Sequence, residues 1–282
     1  MYDIATRQRV LALVDQGHSL NSVSRQTGIS RQAIRSWQAR IEPLSRTAEC
    51  PRCRPTPCLP EQPAAYAYLL GLYLGDGCLS LGPRGVYALR IACADAWPGL
   101  IDSCRDAMRR VSPANSVCTV RKQGCVMVTS TSKHWPCLFP QHGPGKKHER
   151  LIALEPWQEA IVDEYPWEFI RGLVHSDGCR ITNWTTRLVG GVRKRYEYPR
   201  YFFTNKSEDI LCLYADTLDI VGVEWTMTRR GKDPFNISVA RKDSVALMDA
   251  HIGPKYWATP PRRCGVPAPG SSFPPPRAAI PP

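Results

Sequence analysis

Apolar residues along this chain follow two periods, and the switch from one to the other occurs at the same point twice. Tyr68-Leu-Leu-Gly-Leu-Tyr-Leu-Gly-Asp-Gly77 is apolar on nearly every face, and Phe169-Ile-Arg-Gly-Leu-Val-His-Ser-Asp-Gly178 repeats its plan 101 residues later. Small residues stand four apart in each, Gly71 and Gly75 in the first and Gly172 and Ser176 in the second. That spacing puts them on one helical face, where the lack of bulk lets two backbones touch. Both segments are therefore predicted to be central helices packed on each other, ending at Gly77 and Gly178 as helices with C-terminal glycines do. Asp76 and Asp177 then stand side by side at the mouth of the pair, where two carboxylates and freed backbone carbonyls suit a hard divalent cation.

The pattern after each helix also repeats. Strands are predicted at 86–93, 117–121 and 125–129, with helices at 97–111 and from Lys133 onward. After Asp177 come a strand at 180–189, a Gly190-Gly191 turn, a strand at 195–205, a helix at 207–221, strands at 225–229 and 235–240, and a helix from Lys242. Two αββαββ units follow from this order. The predicted fold class is α+β, a pseudo-symmetric duplicated αββαββα core whose repeats span residues 64–155 and 156–257.

Residues 1–42 carry a different, wholly helical pattern. Val10, Leu11, Leu13 and Val14 form the inner face of one helix, Ser19 caps a second with Leu20 and Val23, Gly28 makes the turn, and Ser30 caps a third with Ile34 and Trp37 inside. The opposite face of the third helix is predicted to present Arg31, Gln32, Arg35 and Gln38, with Arg40 at its end, side chains suited to phosphates and to base edges in a major groove. The plainer reading of this stretch is a small bundle with a solvated basic face.

Residues 43–63 form a linker with six prolines and the cluster Cys50, Cys53 and Cys58. Three thiolates at this spacing are candidate zinc ligands, but zinc needs a fourth, and the nearest histidines, His18 and His134, are remote in sequence. Either a distant group such as Cys264 completes the set, or these are ordinary cysteines of a Pro-rich linker. The other nine of the 12 cysteines are scattered singly, as expected of packing in a reducing compartment. Ten of the 26 prolines follow Gly253, so residues 258–282 are predicted to be a disordered tail.

Charge narrows the partner. Lys and Arg number 37 against 25 acids, a formal net charge of +12 with a pI near 9.3, which favours a polyanion. No apolar run of membrane-spanning length and no signal peptide are seen, so a cytoplasmic location without membrane partners is expected. From Gly178 to Lys206 seven basic residues, Arg180, Arg187, Arg193, Lys194, Arg195, Arg200 and Lys206, face a single acid, Glu197. Trp184, Tyr196, Tyr198 and Tyr201 are interleaved with them, and half of these aromatics are expected to alternate into the core. Gly143-Pro-Gly-Lys-Lys-His-Glu-Arg150 reads as a basic loop, either touching a phosphate backbone or simply solvated.

The repeated segments resemble the LAGLIDADG homing endonucleases in their single-chain, two-repeat form, with 69–77 and 170–178 filling the nine motif positions. The resemblance covers residues 64 to about 257 and implies site-specific, Mg²⁺-dependent hydrolysis of double-stranded DNA, with Asp76 and Asp177 as metal ligands. It departs from the family at the sixth motif position, where Leu74 and His175 replace the usual acid. It also implies helper residues near the metals, for which Lys122, Arg180 and Arg229 are the candidates and Arg90 and Arg200 weaker ones. Arg187, Arg193, Lys194, Arg195 and Arg200 are the expected DNA contacts of the sheet.

No intein splice chemistry is visible, and two internal copies supply a pseudo-dyad, so a free-standing monomer is expected. The amino-terminal stretch resembles the helix-turn-helix modules of recombinases and transposases, which leaves a recombination accessory as a third, weaker reading. The pairing of such a module with this core also resembles a family of bacterial transcription regulators that do not cut DNA. A non-cleaving regulator on the same scaffold is therefore the alternative function.

Overall fold

The computed structural model of the chain describes residues 2–39, 41, 50, 53, 58–230, 233–253 and 255. Arg40, Cys264 and the predicted Pro-rich tail lie outside the described residues.

Three helices open the chain, α1 (Ile4–Asp15), α2 (Leu20–Thr27) and α3 (Arg31–Ala39). Local capping sets their ends: the Asp3 carboxylate accepts from the Thr6 N–H at 2.7 Å, Ser19 Oγ from the Ser22 N–H at 3.2 Å, and Ser30 Oγ from the Ala33 N–H at 3.1 Å. Gly28 ends α2 at φ 70°, a left-handed conformation that glycine adopts without strain. Val10, Val23, Ile29, Ala33, Ile34 and Trp37 close a small core of their own.

The first repeat runs α4 (Pro63–Asp76), β1 (Gly77–Leu81), β2 (Tyr87–Ala94), α5 (Pro98–Val111), β3 (Val117–Lys122), β4 (Cys125–Ser132) and α6 (Trp135–Leu138). After the connecting helix α7 (Pro156–Glu164) the second runs α8 (Pro166–Asp177), β5 (Gly178–Val189), β6 (Val192–Thr204), α9 (Glu208–Ile220), β7 (Thr226–Arg230), β8 (Asp233–Val239) and α10 (Lys242–Ile252). Each repeat makes one antiparallel four-stranded sheet, in the orders β1-β2-β4-β3 and β5-β6-β8-β7. The same order in both is the duplication written in three dimensions, and the α+β architecture expected from the repeat is the one observed. The helix expected from Lys133 is a single turn, because Pro140 stops its continuation.

Helices α4 and α8 cross at their glycines. A Cβ on Gly71 would lie 2.5 Å from the Phe169 carbonyl oxygen and 2.7 Å from the Leu173 nitrogen, so only glycine permits this approach. Around the crossing, Tyr66, Leu69, Leu70, Leu72, Phe169, Ile170 and Leu173 are sealed from solvent. His175, in the sixth motif position, is buried too, with its Nδ1 3.0 Å from the Tyr68 hydroxyl across the helix pair. Burial, then the nearby Arg171, holds its pKa down to about 4, so it packs as a neutral ring. No helix among the described residues is long and apolar enough to cross a membrane.

Gly77 and Gly178 are not left-handed caps: their φ values are −93° and −98°, and the chain passes straight from helix to strand. Glycine is needed there for space, since a Cβ would meet the Tyr73 Cα at 2.6 Å or the Val174 Cα at 2.7 Å.

Candidate active site and nucleic-acid interface

Because α4 and α8 end together, Asp76 and Asp177 arrive at one cleft. The ideal Cβ of Gly75 would lie 3.1 Å from an Asp177 carboxylate oxygen, which puts one acid against the last turn that carries the other. Asp76 stays in contact with solvent at the cleft mouth. Protein atoms crowding it, followed by the Asp177 charge, nevertheless push its carboxyl up to about 6. Asp177 is also raised, first by burial, while an Asn205 side-chain N–H at 2.7 Å favours its ionised form. A cleft of about 430 Å³ beside them is lined by Gly75, Lys147, Asp177, Asn205 and Lys206.

Two lysines complete the arrangement. The Lys147 ammonium donates to the carbonyls of Leu74 at 3.0 Å and Gly75 at 2.9 Å, and also to that of Tyr73. The Lys255 ammonium donates to Ser176 at 3.3 Å and Gly178 at 2.7 Å. Each lysine thus binds the negative end of one central helix, where a cation is favoured, next to that helix's aspartate. Burial lowers Lys147 to about 8 against the opposing pull of Asp177 and Asp76, and Lys255 is lowered by burial in the same way. Five of the carbonyls at these helix ends, those of Tyr73, Leu74, Gly75, Ser176 and Gly178, therefore accept from ammonium groups.

The helper residues read from the sequence are elsewhere. Arg180 is clamped to Asp249 by two bonds of 2.6 and 2.8 Å on the helix side of the second sheet. Lys122 lies on β3, three strands from β1 and three residues beyond Thr119, which shares a row with Gly77, a separation of roughly 17 Å. Arg229 lies on edge strand β7, two residues beyond Met227, which shares a row with Gly178. Sequence reasoning missed Lys147, Lys255 and Asn205. Lys147 had a signal, the basic loop at 143–150, whereas nothing in the local pattern marked the other two.

The sheet surface is also sorted by register. Tyr201 and Phe203 are buried against the helices, so Arg200, Tyr198, Tyr196 and Lys194 take the opposite face, joined across the hairpin by Ile181, Asn183, Thr185 and Arg187. Arg193 and Arg195 point to the helix side with Arg180, and Arg195 pairs with Glu197 at 2.7 Å. Half of the hairpin aromatics were expected in the core, but Trp184, Tyr196 and Tyr198 are exposed and only Tyr201 is buried. The reason is reach: among the described residues β6 pairs with β8 only at Tyr201–Thr204, and the outer hairpin passes beyond the described helices.

The expected DNA-reading face of α3 is turned inward. Arg31 bonds Asp216 of α9 at 2.6 Å, Gln32 is buried with its side-chain N–H 3.0 Å from the Ile152 carbonyl, and Arg35 lies 2.8 Å from Cys212 Sγ. Gln38 remains exposed. The face that the helical pattern left polar is thus the face that docks on the core, a pairing of polar surfaces that periodicity cannot distinguish from a solvated one. Of the cysteine cluster, Cys50 and Cys53 stand with His134 and Cys137. Cys58 is outside that group, its sulfur 3.8 Å from the Leu59 carbonyl.

Residues 6–42 match the family model described as a helix-turn-helix domain. Among curated proteins none matches the sequence. In structure the chain is similar to the N-terminal LAGLIDADG domain of DUF199/WhiA, at 13% identity and a TM-score of 0.44 over 68% of this chain and 84% of that one. It is similar also to I-DmoI in complex with DNA and Mn, at 18% identity and a TM-score of 0.46 over 68% and 98% of the two chains. A third likeness is to the LAGLIDADG meganuclease I-AabMI bound to uncleaved DNA, at 11% identity and a TM-score of 0.43 over 66% and 82%.

Proposed function

We propose that the chain binds double-stranded DNA on the open faces of its two sheets and hydrolyses a phosphodiester in each strand at the ends of α4 and α8, in a Mg²⁺-dependent reaction. The observation that carries this reading is the pair of aspartates brought to adjacent helix ends, each beside its own lysine. Two carboxylates this close repel each other and any phosphate, and a hard cation held by Asp76 and Asp177 removes both costs. When bound, Mg²⁺ would neutralise the non-bridging oxygens and lower the pKa of a water. Lys147 and Lys255 act as positioning residues, anchoring the helix ends and favouring ionised carboxylates. Asn205 orients Asp177. The open face bearing Arg187, Lys194 and Arg200 supplies backbone contacts, and Tyr196 and Tyr198 supply flat surfaces for sugars and bases.

The test is incubation of the protein with a supercoiled genomic library and Mg²⁺, beside Asp76→Asn and Asp177→Asn variants, with sequencing of the ends produced. Discrete ends that require the metal and both acids are expected, with DNA affinity retained in the variants. A regulator that binds without cutting is the second reading, favoured by one observation: Lys147 and Lys255 already balance the two acids from within the chain. Salt-sensitive binding without ends would select it.

A further inference from the structure

Cys50, Cys53, His134 and Cys137 each offer one ligand atom, and the four atoms all lie within 4.8 Å of one another. We infer that these residues form a closed structural zinc site that fastens the segment after the helix-turn-helix onto the first repeat. The inference is independent of DNA cleavage, because soft thiolates select zinc where the paired aspartates suit a hard cation.

The geometry supports it in three ways. His134 Nδ1 is 3.3 Å from Cys50 Sγ and 3.5 Å from Cys53 Sγ. A tetrahedral zinc with bonds of about 2.3 Å to sulfur and about 2.0 Å to nitrogen sets such nitrogen–sulfur edges near 3.5 Å. A single thiol–imidazole hydrogen bond would explain one of these sulfurs, not two at this distance from one ring nitrogen with a third within 4.8 Å.

The two halves of the site are also built alike. The Cys53 N–H donates to the Cys50 carbonyl at 3.1 Å, and the Cys137 N–H donates to the His134 carbonyl at 3.0 Å, so each Cys-x-x-Cys or His-x-x-Cys pair is folded by the same turn with both ligands on one side. Ser132 Oγ holds the second turn by accepting from the His134 N–H at 3.1 Å.

Lastly, the site is enclosed: Cys50, His134 and Cys137 are 3%, 4% and 5% exposed. Four protein ligands with no open position make a structural site rather than a catalytic one. Its effect is to tie Cys50 and Cys53 to the end of β4 across some 80 residues of chain.

The experiment is elemental analysis of the full chain after gel filtration with a weak chelator, followed by cobalt substitution. One zinc per chain is expected, unchanged in Cys58→Ser and in the Asp76→Asn/Asp177→Asn double variant, and reduced at least tenfold in Cys137→Ala and His134→Ala. Cobalt should give the visible bands of a tetrahedral ion with thiolate charge transfer. His134→Cys should retain the metal and strengthen that charge transfer, which reads the ligand set even if the alanine variants fail to fold. Titration in denaturant with chelator and no reductant should find all 12 thiols. Metal-free wild type, zinc content indifferent to Cys137→Ala with the fold retained, or a disulfide among Cys50, Cys53 and Cys137 would each overturn the assignment.

Discussion

The strand leaving Asp76 runs for five residues, Gly77–Leu81, whereas the strand leaving Asp177 runs for twelve, Gly178–Val189, and its partner for thirteen. The first sheet packs on α5 through β2, β3 and β4. The second projects a hairpin whose outer half has no described helix beneath it and exposes Trp184, Leu188, Val192 and Tyr196. At the helix ends the two repeats are instead closely matched: Asp-Gly into strand, glycine for space, and an ammonium on the last carbonyls. Duplication has preserved the part where a one-atom change would clash and released the part that meets only solvent or a partner.

Four predictions test that contrast. The largest effect is expected where the repeats agree most. Gly172→Ala drives a Cβ against the Tyr68 carbonyl and 2.9 Å from the Gly71 Cα, and should cost about 3 kcal/mol or prevent folding, read by chemical denaturation. A loss below roughly 0.5 kcal/mol would mean that the helices separate easily. Next, Lys147→Met and Lys255→Met should each lower cleavage roughly a hundredfold, while Lys122→Met and Arg229→Met leave it within a few-fold. Equal effects from all four would return the helper role to the sheets.

Smaller effects belong to the divergent hairpin. Arg187→Ala or Lys194→Ala should weaken DNA binding and lower the salt dependence by about one counterion each, whereas Arg193→Ala and Arg195→Ala, on the other side of the sheet, should do much less. Fluorescence anisotropy across a salt series separates the two faces.

The smallest concerns Glu159 on the helix that links the repeats. Burial, then Asp163, raises its carboxyl to about 7, partly relieved by Arg7. The folded state thus binds this proton more tightly than the unfolded chain, and stability falls as pH rises from about 4.5 through 7. Glu159→Gln should raise the Tm by a few degrees at pH 8 and by nothing near pH 4. A gain independent of pH would point to packing instead.

Legibility differed by distance along the chain. The helix pair, the aspartates and seven of the eight described strands could be read because each depends on spacings of two to four residues, and so could the caps at Ser19, Gly28 and Ser30, whereas β1, five residues long and directly continuous with α4, was not foreseen. His134-Trp-Pro-Cys137 carried a readable echo of Cys50-Pro-Arg-Cys53, but only for a reader already looking for a partner 80 residues away.

By itself, then, the sequence determined the duplicated α+β core, the crossing of α4 on α8 and the meeting of Asp76 with Asp177, because glycine spacing and periodicity act within one turn or one strand. Only the tertiary structure decided that Lys147 and Lys255, not Lys122, Arg180 or Arg229, attend the acids. It alone also decided that α3 docks its basic face on α9 and that His134 and Cys137 join Cys50 and Cys53. Those contacts join groups 70 or more residues apart, whose closeness is set by how helices and sheets pack and leaves no period in the chain.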